Sequence, residues 1–153
     1  METLVIVHLS SIDSYRDFYG VDPAIQLAAD LKVVIITHPG PVVVMDQECE
    51  EIISEDAKVL RASVLDLQRL RDITIFHHDE LVDVSPWQDG MKRLAKVLRG
   101  MGTTRVRLGG LWASESGTTG CVHETQGQLR ARNIPCWIDH SLVALEENDK
   151  RAQ

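Results

Sequence analysis

Short apolar runs rich in β-branched residues punctuate the chain: Leu4-Val5-Ile6-Val7, Val33-Val34-Ile35-Ile36, Val42-Val43-Val44-Met45, Ile73-Thr74-Ile75-Phe76 and Ile134-Pro135-Cys136-Trp137-Ile138. Each has the length and composition of a strand, and Thr104 to Leu108 alternates polar with apolar, as a strand with one well-buried face does. Val33–Ile36 and Val42–Met45 lie too close together for a parallel crossover, which needs a dozen or more residues, so one of them is expected at an edge or in a hairpin. Between the runs the apolar period lengthens to three or four. Asp22-Pro23 reads as a cap and first-turn proline opening a helix through Ala24, Ile25, Leu27 and Ala28. Val59, Leu60, Val64, Leu67 and Leu70 predict a second helix. Ser85-Pro86 opens the clearest one, with Trp87, Met91, Leu94, Leu98 and Met101 inward and Lys92, Arg93, Lys96 and Arg99 outward. Cys121 to Arg132 reads as a more polar helix ended by Asn133, and His8 to Gly20 reads as a turn-prone stretch.

Strands alternating with helices predict a mainly parallel sheet covered on both faces. The expected architecture is α/β: one single-domain, Rossmann-like three-layer sandwich over residues 1–145 with five or six strands, followed by a loose tail over 146–153. At 153 residues and 44 % hydrophobic, the chain is long enough for such a core. Sixteen Lys and Arg against 23 Asp and Glu leave a net charge of −7. That balance argues against a broad nucleic-acid footprint, which needs a basic face. No apolar run approaches the roughly 20 residues needed to cross a bilayer. The expected partner is a small-molecule ligand, with no nucleic acid and no membrane. Three cysteines and no signal-like N-terminus set a cytoplasmic expectation. The basic helix face and the acidic stretch from Asp46 to Asp56 are complementary enough for a homo-oligomer.

Ligands of open α/β sheets gather at the carboxyl ends of the strands, so the residues following each run are the candidates for chemistry. They are His8, His38, Asp46, the His77-His78-Asp79-Glu80 cluster, Gly109-Gly110 and Asp139-His140. Any α/β protein becomes polar where its strands end, and that ordinary reading stands beside each functional one. The segment from Gly109 to Val122 is richest. It holds a loop of Ser, Gly and Thr, then Cys121 in the first turn of a helix, where unsatisfied N–H groups and the helix dipole favour thiolate over thiol. The same N–H groups could hold an oxyanion. Buried cysteines more often pack as small hydrophobes, which is the expectation for Cys136 within its apolar run. Alternatively, Gly110, Thr118, Thr119 and Gly120 could cradle a phosphate, although neither P-loop nor dinucleotide spacing is present. The His77 cluster could donate metal ligands only by converging with His8, His38 or Asp46, because no metal-ligand spacing exists within it.

Val106-Arg107-Leu108-Gly109-Gly110, then Gly120-Cys121-Val122-His123-Glu124-Thr125, then Leu129 through Asp139 resemble the strand, cysteine helix and final strand of the isochorismatase-like cysteine hydrolases, which include nicotinamidases. The resemblance implies a Cys121 nucleophile cleaving a small amide, imide or ester. The family's triad adds a first-strand aspartate and a lysine. This chain has His8 at the former position, and near the latter it offers Arg71 or His77, with no lysine between Lys58 and Lys92. The base is therefore expected among Asp46, His8 and His77. The alternative is a non-catalytic domain that binds a phosphate-containing ligand or a protein partner through the 114–120 loop. No cofactor is specified.

Overall fold

The computed structural model describes residues 1–46, 55–77, 86–113 and 120–145. Five strands form one parallel sheet: β1 Glu2–Val7, β2 Val42–Asp46, β3 Thr74–His77, β4 Arg105–Ala113 and β5 Cys136–Leu145, in spatial order β3-β2-β1-β4-β5. The helices are α1 Ile12–Tyr19, α2 Val21–Thr37, α3 Glu55–Leu65, α4 Pro86–Gly100 and α5 Cys121–Ala131. Because side chains alternate across a strand, the sheet divides the core in two. Leu4, Ile6, Val42 and Val44 face α1, α2 and α3, against Ile12, Leu27, Leu31 and Val64. Val5, Val7, Val43 and Met45 face α4 and α5, against Met91, Leu94, Leu98, Val122 and Leu129. The result is the three-layer α/β sandwich expected from the sequence.

Three expectations about elements are corrected. Val33–Ile36 is not a strand but the last turns of α2, which explains why Val42–Met45 lies so close behind it and still occupies a fully buried interior position as β2. Among the described residues the sheet has five strands, within the five or six expected. Residues 9–19 are also helical, a short 3-10 turn at Leu9–Ser11 leading into α1, where a turn-prone stretch was expected. The α3 pattern ends early: a 3-10 turn over Asp66–Arg69 follows it, leaving Leu70 exposed. The tail over 146–153 lies outside the described residues.

The β4 strand does not turn away at Gly109-Gly110 but runs on to Ala113. Gly110 pairs with Val7 at φ +110°, and a Cβ there would lie 2.2 Å from the Val7 carbonyl oxygen. This glycine is required by the contact between the two central strands. At the other end of the sheet, Arg71 donates to the carbonyls of Ile35 (2.8 Å), His38 (2.5 Å) and Gly40 (2.6 Å). It thereby caps the C-terminal turn of α2 with a positive charge and fixes the connection into β2.

Candidate active site

Strand order locates the crevice. From β1 the chain moves by α1 and α2 to β2 and by α3 to β3, on one face; β4 and β5 lie on the other side of β1, and their helices α4 and α5 cover the other face. The sheet therefore reverses direction between β1 and β4, and the crevice of such a fold opens at the carboxyl ends of those two strands. His8 immediately follows β1. Cys121 begins α5, the helix that follows β4.

His8 is 2 % exposed and adopts left-handed backbone angles, φ 47° and ψ 57°. A residue with a Cβ takes up that conformation at an energetic cost of about 1 kcal/mol or more, so its surroundings hold it there. Its carbonyl accepts from the Ser11 amide at 2.9 Å, closing the turn that carries the chain into α1.

Gly120, at φ 100°, precedes the first turn of α5, and its carbonyl accepts from the Glu124 amide at 3.0 Å. Cys121 is half-buried and packs against the cluster that contains Val7 and Val122. The Thr125 hydroxyl donates to its carbonyl at 2.7 Å. Cys121 and Cys136 are both thiols. Cys136 is buried in the core, and that burial pushes its pKa up to about 12, against the opposing pull of Arg130. Cys49, Thr118 and Thr119 lie outside the described residues.

Asp46 ends β2, next to β1, and is 1 % exposed. Its carboxylate takes a forked interaction from Arg61 of α3, with Nε 3.1 Å from both oxygens and a close ion pair from Nη2. Alternation along β2 directs Asp46 to the α3 side, with Val42 and Val44, whereas α5 covers the opposite side. His77 ends β3 in register with Asp46, two strands from β1 and thus about 10 Å away at ordinary strand spacing. Its side chain, like the whole of His78, Asp79 and Glu80, lies outside the described atoms.

Four candidates from the sequence are placed elsewhere. His38 is at the opposite end of the sheet, where its Nε2 donates to the Glu2 carbonyl at 2.9 Å. Arg71, beside it, is committed to the end of α2. Asp139 and His140 lie within β5 rather than after it. Among the described residues no group of three His, Cys, Asp or Glu side chains comes together as metal donors.

One aromatic cluster in the core on the α1 side of the sheet is not legible in the sequence. Tyr15 and Tyr19 of α1 meet Trp112 near the end of β4, with ring centroids 5.1 to 6.0 Å apart. The Tyr15–Tyr19 spacing of four residues is the one available signal, and it is visible only once residues 12–19 are known to be a helix.

This fold recurs in solved structures. The fold is shared with a nicotinamidase. The chain superposes on the nicotinamidase SaPncA from Staphylococcus aureus with a TM-score of 0.57 and 15 % identity, covering 95 % of this chain and 86 % of that one. It also superposes on the MAR1 ribonuclease from Caenorhabditis elegans with a TM-score of 0.52 and 15 % identity, covering 98 % of this chain and 68 % of the other. No family model and no curated protein matches the sequence. At this identity the likeness concerns the fold alone. No helix among the described residues is long and apolar enough to cross a membrane.

Proposed function

We propose that the chain is a cysteine-dependent hydrolase of isochorismatase-like type, acting on a small amide, imide or ester with Cys121 as nucleophile. The observation that carries this reading is the position of Cys121, a half-buried thiol opening α5 beside the reversal point of the sheet. Backbone N–H groups of a first helical turn stabilise both a thiolate and the oxyanion formed when it attacks a carbonyl.

Of the three candidate bases, His8 is favoured. It leaves the strand adjacent to β4, whereas Asp46 is already neutralised by Arg61 and His77 ends an edge strand. In the reaction the Cys121 sulfur bonds to the substrate carbonyl carbon as His8 accepts the thiol proton. Collapse of the tetrahedral intermediate expels the amine or alcohol, which takes that proton. Water, deprotonated in turn by His8, attacks the thioester carbonyl carbon; the C–S bond breaks, the acid is released, and the Cys121 sulfur takes back the proton held by His8. Gly110 pairs with Val7 at the carboxyl end of β1 and Gly120 precedes α5, which is consistent with a ligand held there; Thr118 and Thr119 lie outside the described residues. The expected partner is therefore a small molecule.

The test is alkylation by iodoacetamide across pH, mapped separately at each cysteine, together with turnover of small amides and esters by wild type and Cys121→Ser. Cys121 should react with an apparent pKa below the ordinary value of about 8.5 while native Cys136 stays silent. Cys121→Ser should abolish turnover and leave the circular dichroism spectrum unchanged. An inert Cys121, or a serine variant with full activity, would overturn the reading in favour of a non-catalytic domain that binds an anion or protein through the 114–120 loop.

A further inference from the structure

The α2 helix buries one face on the sheet through Ala24, Leu27, Ala28, Leu31 and Ile35, and this accounts for its attachment to the fold. A second apolar stripe runs along its solvent side. Val21 and Ile25 are 44 % and 49 % exposed, Ala29 is half-buried, and Val33 and Ile36 are 62 % and 49 % exposed. Nearby surface extends it: Val59 of α3 is 64 % exposed and Leu70, after the turn that follows α3, is 71 % exposed. Single exposed apolar residues need no explanation, but a stripe of this length along one helix marks a contact surface.

The two ends of the stripe differ in shape. At the N-terminal end Val21, Ile25, Val59, Leu60 and Arg16 surround a groove of about 340 Å³. At the other end Ile36 and Leu70 project. Groove and projections are separated by about 16 Å along α2, the rise of the eleven residues from Ile25 to Ile36. A surface with a hollow at one end and knobs at the other is complementary to itself when turned by a two-fold axis.

We propose that this surface is an interface between two copies of the chain, packed through antiparallel α2 helices with Ala29 at the axis. Centred there, Ile25 lies opposite the partner's Val33, and Ile36 opposite the partner's Asp22, at the rim of the partner's groove. The small Ala29 side chains allow close approach at the crossing point. Charge agrees with shape: Lys32 falls opposite the partner's Gln26, with the partner's Asp22 and the partner's Asp30 one turn to either side. Gln26 and Asp30 are already joined by a 2.9 Å hydrogen bond, which holds that carboxylate on the exposed flank. Every such contact occurs twice. The inference does not depend on the chemistry at Cys121.

Sedimentation equilibrium of the full chain across the micromolar range tests it. The expected molar mass is twice the 17.1 kDa of the chain, falling to 17.1 kDa in the double variant Ile25→Glu, Val33→Glu. Should that variant misfold, Ala29→Cys provides an independent readout, because under oxidation it should give a disulfide-linked dimer that wild type and a Lys96→Cys control on the exposed face of α4 do not. Wild type that stays monomeric overturns the proposal. So does a dimer that survives the double substitution, or the absence of an Ala29→Cys cross-link.

Discussion

A carboxylate at the end of a strand interacts first with what the fold places beside it, and for Asp46 that is the guanidinium of Arg61. Buried to 1 % exposure, it depends on the Arg61 guanidinium for its charge to be tolerated. Removing Arg61 alone leaves that charge in the core. Since the arginine is 31 % exposed and water can partly replace it, Arg61→Ala should cost about 3 kcal/mol, the low end for breaking a buried pair. Urea denaturation provides the measurement, and adding Asp46→Asn to Arg61→Ala should restore part of the loss, since the amide needs no counter-charge. A change below about 0.5 kcal/mol for Arg61→Ala would mean that solvent already screens the carboxylate. The position of Asp46 after an apolar run was legible in the sequence, but its partner was not. Arg61 belongs to a helix whose rotation about its own axis is fixed only by packing. Cys121 was more legible, because a Gly/Ser/Thr loop ahead of a helical pattern identifies the helix start without any tertiary information.

The elements show where local pattern misleads. Val33-Val34-Ile35-Ile36 has the composition of a strand and forms helix, because α2 carries apolar residues on two faces: Ile35 is in the core, and Val33 and Ile36 are at the surface. A helix apolar on two sides loses the period that distinguishes it from a buried strand. For the opposite reason the sequence pattern stops the last strand at Ile138. Asp139, His140 and Ser141 look like a strand end, yet the strand continues through them to Leu145. The polar residues are accommodated by pairing across strands: Arg107 of β4 donates to Asp139 Oδ2 from Nε at 2.8 Å and from Nη2 at 2.5 Å. Ser141 donates to Oδ1 from its amide at 3.1 Å and its hydroxyl at 2.6 Å. Burial alone would raise the Asp139 pKa, but the Ser141 and Arg107 hydrogen bonds together outweigh it and hold the carboxyl below its ordinary value. A lowered folded pKa stabilises the fold above the unfolded value of about 3.9, and that contribution disappears as acidification passes through the folded value. Asp139→Asn should therefore be less stable than wild type at neutral pH and should lose less further stability on acidification from about pH 5 to about pH 2. Parallel acid limbs for the two proteins would assign the pairing no net role.

At the scale of the whole molecule, composition and alternation were enough for the layer architecture, but strand order was not readable. Apolar runs identify strands and say nothing of which is central, and the reversal between β1 and β4 exists only in the assembled sheet. That order supports the proposed preference for His8, which follows a central strand, over His77, which ends a strand at the edge of the described sheet. It also sets how stability is distributed. The β1 strand is hydrogen-bonded to β2 and β4, lies between both helix layers and has Thr3 to Val7 fully buried, so its amides have no route to solvent short of opening the whole sheet. The β3 strand has four residues, one neighbour and only Phe76 buried among Thr74, Ile75 and Phe76. Amides that open only with global unfolding exchange at the rate set by total stability, while those at an edge exchange through smaller, cheaper openings. Native-state hydrogen exchange should accordingly give the slowest amides in β1, with β2 and β4 close behind, and markedly faster exchange in β3. Mild denaturant should then accelerate β1 with the full slope of global unfolding and β3 with a shallower one. If β3 proved as protected as β1, the edge would have to be covered in solution, and the assumption that β3 ends the sheet would be wrong.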